Sequence, residues 1–492
     1  YNLTINHAGT TTVSTNDLNV DGTLTLASTA TLDSSTGPRN VSIGVNLTIA
    51  AGATFTTGGT TATVTFDGTA AQVITTGLSA VGADAGNDFQ NVTVSNSTAA
   101  VSVATNPIEI DGDLTIAALG ELALGAQAMT LTGTLSNANT AVLSLDGSQA
   151  ITIGTMDTNT GSVNYIGAGT YTQLAAGDNY YDLALNGTGS ITLDATLDIN
   201  GDLSVISTQT FATGANAITI ADDWTVAGTA TFSSGTGTVT FNGAEAQTLN
   251  SGGGDTSHDF YNIVTSGAGT DIQLSTSALR IVNDLTIATG TIWDDNGINT
   301  TILGDWANSG TYTAEGTSMV SFDSASTQSL ASGASGVAND DDFNRITLAD
   351  NTTLTVLTNP LEIDSTLTIN TGAILDISGV NLTLGTAIDS VGTLKLDGSE
   401  TVTQSMMDPN SGTVFYDGTG TYASGLVAGD AYYNLTINGT GGSWTLDAAL
   451  DVNGLMTIVA GTLVANNLGI NVAGGWSQAA GTFTPGTATV TF

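Results

Sequence analysis

The chain has 492 residues and no cysteine, 40% of its residues are hydrophobic, and only 10% are charged. Its formal net charge is -40, because 44 acidic residues face only four basic ones, Arg39, Arg280, Arg345 and Lys395. This balance excludes nucleic-acid binding and electrostatic docking on anionic membranes, the missing cysteine excludes disulfides and thiolate metal sites, and no apolar stretch approaches the ~20 residues of a membrane-spanning segment.

Six aromatic segments, which we call anchors, recur along the chain. They begin at Tyr1, Phe89, Tyr180, Phe260, Phe343 and Tyr432. A Leu-Thr-Ile-like motif follows each anchor, at Leu24, Leu114, Leu203, Leu285, Leu367 and Met456, and its distance from the last five anchors is 25, 23, 25, 24 and 24 residues. This constancy in an otherwise varied sequence predicts a structural repeat.

The anchors divide the chain into six predicted repeat units. The units are residues 1–88, 89–179, 180–259, 260–342, 343–431 and 432–492, the last of which is incomplete. A longer period of about 252 residues groups them in threes, since residues 105–111 recur at 358–364, 177–181 at 429–433 and 238–241 at 489–492. We therefore expect the pattern to continue head to tail, in a longer polypeptide or between copies of the chain.

The local pattern is that of β-strands throughout. Short runs such as Leu114-Thr115-Ile116 alternate apolar residues with Thr or Ser, and glycine-containing turn signals separate them. Parallel β-solenoids use coils of roughly 20–23 residues, so each repeat unit would hold about four coils and the chain about 22. The sequence thus predicts an all-β parallel β-helix with tandem repeats, and tandem β-sandwich domains are the alternative.

Longer phrases carry a family resemblance. They occupy residues 200–205, 223–229 and 237–243, followed by Gln247, and return in the same order at 304–306, 310–311 and 321–323, followed by Gln328. In these phrases the chain resembles the long β-strand-repeat surface proteins of bacteria, the adhesin and filamentous-haemagglutinin-like class. The resemblance implies a right-handed parallel β-helix with an extracellular structural or adhesive role.

Three functions follow as hypotheses. The first is an extracellular structural protein that forms a filament, sheath or surface layer by self-association, with cell-surface polysaccharide as a further partner. The second is an adhesin stalk, and the third is a carbohydrate-active β-helix enzyme. The acidic motif at 109–113 has a counterpart at 362–364, and such repetition favours a structural role over a unique active site. We therefore expect no enzymatic activity.

The histidines and the aromatic anchors are interpreted as structural. His7 and His258 have no second histidine at ligand spacing, so exposed turns are predicted for both. The anchor aromatics are predicted to stack in the interior or to cover a turn, and a sugar-binding strip is the alternative.

Acidic residues precede several anchors and alternate along residues 109–113. Alternate positions on a strand share a face, and carboxylate oxygens in turns are the ligands that Ca²⁺ prefers. The sequence predicts either a solvated acidic surface or Ca²⁺ sites, with the candidate ligands Asp84, Asp88, Glu109, Asp111, Asp113, Asp255, Asp259, Asp340 and Asp342.

Overall fold

The computed structural model of the chain describes residues 1–37, 39–77, 88–333, 342–377, 379–386, 388–404 and 407–492. The described ranges consist of short β-strands and turns; they contain no helix, and therefore none that is long and apolar enough to cross a membrane. In these described ranges the strands stack in about 22 turns. Strands pair in parallel one coil apart, which confirms the parallel β-solenoid and excludes the antiparallel sheets of a β-sandwich.

The chain divides into two compact units, Tyr1–Gly237 and Thr238–Phe492. In the first unit the longest sheet contains Leu3–Ile5, Leu24–Leu26, Leu47–Ile49, Gln72–Thr75, Val101–Thr105, Glu121–Gly125, Val142–Leu145, Ser162–Tyr165, Asp182–Leu185, Leu203–Val205 and Trp224–Val226. A second sheet contains Leu18–Val20, Val41–Ile43, Thr63–Phe66, Asn91–Val94, Ile108–Ile110, Leu114–Ile116, Met129–Asn137 and Ile151–Thr155.

Shorter sheets complete the coils of the first unit. One contains Gly9–Thr12, Ala30–Asp33 and Thr54–Thr56. Another contains Thr170–Tyr171, Ser190–Thr192, Thr210–Ala212 and Thr231–Ser233, and a third contains Asn179–Tyr180, Leu197–Ile199 and Ile218–Ile220.

The second unit repeats this architecture. Its longest sheet contains Thr238–Phe241, Asn262–Thr265, Leu285–Ile287, Trp306–Asn308, Thr327–Ala331, Thr353–Val356, Ile374–Asp376, Thr393–Leu396, Thr413–Tyr416, Thr421–Tyr422, Asn434–Thr445, Leu455–Val464, Gly475–Gln478 and Thr482–Thr484. The strands Ala246–Asn250, Asp271–Leu274, Ile292–Asp294 and Thr311–Thr313 pair with one another, and a six-stranded sheet contains Leu279–Ile281, Thr300–Ile302, Val320–Phe322, Ile346–Leu348, Leu367–Ile369 and Ile388–Ser390. A three-stranded sheet contains Leu361–Ile363, Leu382–Leu384 and Val402–Thr403, and a four-stranded sheet contains Ala431–Tyr432, Leu450–Val452, Ile470–Val472 and Val490–Thr491. The remaining short strand is His258–Asp259.

The three-residue strand is the basic element of both units. In Leu114–Ile116 the outer two residues are buried and Thr115 between them is half-exposed, because successive side chains of a strand point to opposite faces. The β-branched residues suit this pleated surface. The apolar residues of successive coils therefore form columns in the interior, whereas small hydroxyl side chains cover the outside.

The fixed distance between anchor and motif is explained by the strand register. Each anchor strand pairs with the Leu-Thr-Ile-like motif of the next coil, through Leu3 and Leu24, Val92 and Leu114, Leu183 and Leu203, Ile263 and Leu285, Ile346 and Leu367, and Leu435 and Met456. The two motifs are thus one coil of 20 to 22 residues apart on the same sheet. The repeat detected in the sequence is the coil itself.

The aromatic residues that open the last five anchors are interior side chains, whereas Tyr1 is exposed. Phe89, Tyr180, Phe260, Phe343 and Tyr432 are all buried. Each pairs with an aliphatic residue one coil further on, namely Ile110, Ile199, Ile281, Ile363 and Val452. This confirms the structural interpretation of the anchors, since a buried ring cannot form a sugar-binding strip.

A buried glutamine amide closes the turn after the strand Thr238–Phe241 and the similar turn after Thr63–Phe66, whereas Gln328 instead donates to the Ile302 and Gly304 carbonyls at 3.1 and 2.6 Å. The Gly68 amide donates to Gln72 Oε1 at 2.9 Å, and Gln72 Nε2 donates to the Ile43 carbonyl of the preceding coil at 2.7 Å. The Gly243 amide donates to Gln247 Oε1 in the same way, at 3.1 Å. The glutamine of these phrases therefore satisfies buried backbone groups, as buried polar groups require.

Candidate acidic site and the side-chain ladder at the coil corners

Three of the predicted calcium ligands come together in the first unit. Asp88, Glu109 and Asp111 each offer one carboxylate oxygen, and these oxygens lie within 4.8 Å of one another. The register explains this grouping, because Phe89 pairs with Ile110 one coil further on. Asp88 before the anchor therefore lies beside Glu109, and Asp111 follows the strand. These three side chains supply hard oxygen donors of the kind that Ca²⁺ takes.

Asp113 is not part of this group. The strand that carries Glu109 ends at Ile110, so the alternation that would align residues 109, 111 and 113 stops in the following bend. The Asp113 carboxylate instead accepts a hydrogen bond from the Thr134 amide of the next coil at 2.9 Å. Its role is to join two coils.

The same position at the fourth anchor holds an ion pair. Asp259 precedes Phe260, and Phe260 pairs with Ile281, so Asp259 lies beside Arg280. The Arg280 guanidinium donates to Asp259 Oδ2 at 2.5 Å, and both side chains are largely buried. The acid before this anchor is thus paired with a basic residue, whereas the corresponding Asp88 of the first unit faces the acidic Glu109.

Asp255 lies in the turn before this anchor and binds neighbouring groups. The Ser257 amide donates to its carboxylate at 2.8 Å, and the His258 ring lies 3.0 Å from it; these two hydrogen bonds lower the pKa of Asp255. The His258 side chain is only 6% exposed, so the prediction of an exposed turn is wrong for this histidine. The His258 ring contacts Asp255, and the residue belongs to the short strand His258–Asp259, so its side chain lies against the coil.

The remaining candidates lie around the fifth anchor or outside the described residues. Asp342 precedes Phe343, which pairs with Ile363, so the register places Asp342 next to Glu362 on the adjoining coil. Asp84 and Asp340 fall outside the residues that the structure describes. The fifth anchor thus repeats the arrangement of the second, where Asp88 lies beside Glu109.

A ladder of side-chain oxygens connects the coils at their corners. In each rung, Oδ1 of an Asn or Asp that directly precedes a strand or is its first residue accepts a hydrogen bond from a backbone amide one coil further on, at 2.8 to 3.2 Å. The rungs, written acceptor first, are Asn2 and Thr23, Asn40 and Thr63, Asn46 and Val73, Asn91 and Asp113, Asp182 and Asp202, Asn262 and Asp284, Asn299 and Met319, Asn381 and Thr401, and Asn434 and Leu455.

Several acidic residues belong to this ladder. Asp113, Asp202 and Asp284 each donate through the backbone amide to one coil and accept through the carboxylate from the next coil. This role was not predicted from the sequence, although the recurrence of Asn or Asp directly before a buried strand residue was a usable signal. Part of the acidic surface is therefore structural.

One stretch of the ladder is unusually acidic. Oxygens of Asp202, Asp222 and Asp223 lie within 4.8 Å of one another, and Asp182 is bonded to the Asp202 amide. Burial raises the pKa of Asp182 to about 6, and the charges of Asp202 and Asp222 add to this shift. Like charges are thus held together at this corner.

Two shallow grooves lie in the second unit. One, of about 390 Å³, is lined by residues that include Val402, Met407 and Asp430. The other, of about 360 Å³, includes Leu450, Ile470 and Asp451. Each groove has a single carboxylate, whereas glycoside hydrolysis uses a pair.

Comparison of the chain with protein-family models, curated proteins and solved structures finds no match. The assignment to a β-solenoid therefore rests on the strand register alone.

Proposed function

We propose that the chain is an extracellular structural protein whose stacked coils build a filament, sheath or surface layer. The observation that carries the proposal is the repetition of one coil junction at all six anchors, where a strand pairs with the Leu-Thr-Ile-like motif of the next coil. A junction that recurs unchanged favours a mechanical role, because stability then adds up along neighbouring repeats.

The same junction supports self-association as the mode of assembly. Each coil presents backbone donors and acceptors, an apolar column and a corner rung to its neighbour, and another coil of the same kind satisfies all three. Further coils of the same polypeptide or of a second copy would supply such a partner. The surface-protein resemblance and the acidic composition agree with an extracellular location.

Electron microscopy tests both parts of the proposal. Negative-stain images of native material should show filaments or a regular layer, and immunogold labelling of intact cells should place the chain outside the cell. In analytical ultracentrifugation, the purified chain should sediment as particles whose size grows with protein concentration. Compact particles of constant mass at every concentration, with label confined to the cell interior, would overturn it.

An adhesin stalk is the second candidate. The same repetitive junction favours it, but a stalk would not self-associate. A stalk would stay monomeric at all concentrations while still labelling at the cell surface. The enzyme hypothesis has less support, since each of the two shallow grooves carries a single carboxylate.

A further inference from the structure

The two tyrosine anchors that are 252 residues apart have nearly identical corners. Ser162 pairs with Asp182 as Thr413 pairs with Asn434, and both Asp182 and Asn434 accept the amide of the residue before the next buried motif, at 2.9 and 2.8 Å. The backbone amides of Asp182 and Asn434 donate to the carbonyls of Gly161 and Gly412, both at 3.2 Å. The corners share this backbone geometry and differ in their side chains: Asp182 is replaced by Asn434, and Asp202 and Asp223 on the following coils are replaced by Leu455 and Gly475.

The side-chain group at the position of Asp182 or Asn434 decides whether the rung also forms a hydrogen bond to the preceding coil. Asn434 Nδ2 donates to the Gly412 carbonyl at 3.1 Å, and Asn91 Nδ2 donates in the same way to the Ala62 carbonyl at 3.2 Å. Each of these asparagines thus joins three successive coils. An ionised aspartate has no donor and can accept hydrogen bonds only. A protonated aspartate has one O–H donor and offers the same pattern as asparagine.

The surroundings of Asp182 favour the neutral side chain. Asp202 and Asp222 of the following coils repel its charge, and the half-buried Tyr181 lies beside all three carboxylates. Asp223 completes the acidic group with Asp202 and Asp222. The preceding coil contributes Gly161 and Ser162 at this register, neither of which titrates.

We propose that Asp182 is a proton-binding site that makes the junction between these coils tighter in mild acid, because the protonated side chain supplies the hydrogen bond that asparagine supplies at the equivalent corner. The property belongs to the coils themselves and does not depend on whether they build a filament. At neutral pH this junction is the weaker of the two, and acidification makes them alike.

The sign follows from proton linkage. Burial and the neighbouring carboxylates raise the pKa of Asp182 to about 6 from 3.8, so the folded chain binds the proton more tightly than the unfolded chain does. Stability of the junction therefore increases as the pH falls through 6 and stops increasing below about 4. Between pH 7 and pH 5 the two pKa values correspond to about a tenfold change in the local opening equilibrium.

Amide hydrogen exchange at pH 7 and pH 5, corrected for the intrinsic exchange rate and measured in EDTA, tests the proposal. Peptides that contain the Asp202 amide should become about tenfold better protected at pH 5 in the native sequence. In Asp182→Asn the same peptides should be protected at pH 7 as well as at pH 5. The converse change, Asn434→Asp, should give the Leu455 region a new pH dependence of the same sign.

Glu245→Gln is the charge-matched control, because Glu245 is exposed, and this variant should keep the native pH response. The proposal is overturned if Asp182→Asn retains the full response, or if native protection around Asp202 is equal at the two pH values. Should Asp182→Asn fail to fold, the native chain decides by itself: equal protection around Asp202 at the two pH values, in the presence of EDTA, refutes the proposal.

Discussion

Asp88 and Asp259 occupy the same position before their anchors, yet they face opposite charges. Asp88 lies beside Glu109 and Asp111, whereas Asp259 is bonded to Arg280. Leaving acids together in a partly buried place is unfavourable unless a cation or a hydrogen bond compensates them. The contrast makes the Asp88 group the sharpest place to test the calcium hypothesis.

If this group binds Ca²⁺, the ion should stabilise the folded chain by mass action, by about 2.7 kcal/mol at a free concentration a hundred times Kd. The melting temperature should fall in chelator and recover less in Mg²⁺ at equal ionic strength, because Mg²⁺ prefers water-rich octahedral sites. Glu109→Gln and Glu109→Arg should both lose the response. The second variant reproduces the ion pair of Asp259 with Arg280.

Calorimetry with Ca²⁺ or chelator measures this, with Glu245→Gln as the variant that should keep the response. Equal melting temperatures of the native chain in the two buffers would leave only a solvated acidic surface.

At the scale of the element, the coil corner depends on a side chain that bonds both neighbouring coils. Asn91 accepts from the Asp113 amide at 2.9 Å and donates to the Ala62 carbonyl at 3.2 Å. Asn91→Ala removes both bonds, but the Ala62 carbonyl keeps the backbone amide of residue 91 at 3.1 Å and the Asp113 amide lies at an exposed corner, so we expect a cost of about 0.5–1.5 kcal/mol for each bond lost. We expect faster hydrogen exchange in the strands Thr63–Phe66 and Leu114–Ile116.

Asn19→Ala provides the comparison, because Asn19 lies on the exposed face of the strand Leu18–Val20. Exchange in that variant should match the native chain. Equal exchange in both variants would show that the rung contributes nothing to the corner.

The sequence predicted the strands well and the corners poorly. Leu114-Thr115-Ile116 was recognisable because alternation and recurrence depend on nearest neighbours along the chain. The meeting of Asp88 with Glu109 depends on a register one coil apart, and the bend after Ile110 removes Asp113 from that face. His258 is buried and contacts Asp255 three residues away, and residue spacing alone revealed neither the burial nor the contact.

At the scale of the whole molecule, the scarcity of basic residues has a measurable result. Arg280 and Lys395 lie inside the strands Leu279–Ile281 and Thr393–Leu396, and the Arg345 carbonyl accepts the Val320 amide at 3.0 Å. Lys395 is also held by Asp376 and Asp417, at 2.7 and 2.9 Å. A protease needs an extended, unpaired segment, so these bonds are protected while the coils are folded.

We therefore expect the bonds after Arg280, Arg345 and Lys395 to resist trypsin until the chain unfolds, whereas Arg39 lies outside the strands. Gel electrophoresis of timed digests in native buffer should show the intact chain or the large fragment cut after Arg39, and heating or urea should give rapid cleavage at the other three sites. A reductant should change neither result, because the chain has no cysteine. Fast cleavage at Lys395 under native conditions would contradict the strand register in that region.

The corner rungs have a consequence for glycosylation when the protein is made in a eukaryotic host. A corner Asn, a buried aliphatic and an outward Thr spell Asn-x-Thr, the N-glycosylation sequon, as at Asn2, Asn46, Asn91, Asn381 and Asn434. At Asn91 and Asn434, Nδ2, the atom that would carry the glycan, donates to a carbonyl of the preceding coil at 3.2 and 3.1 Å, so a glycan at either residue is incompatible with its rung. A secretory pathway that modifies the chain before it folds would therefore block the rungs, whereas a host without that machinery leaves them intact.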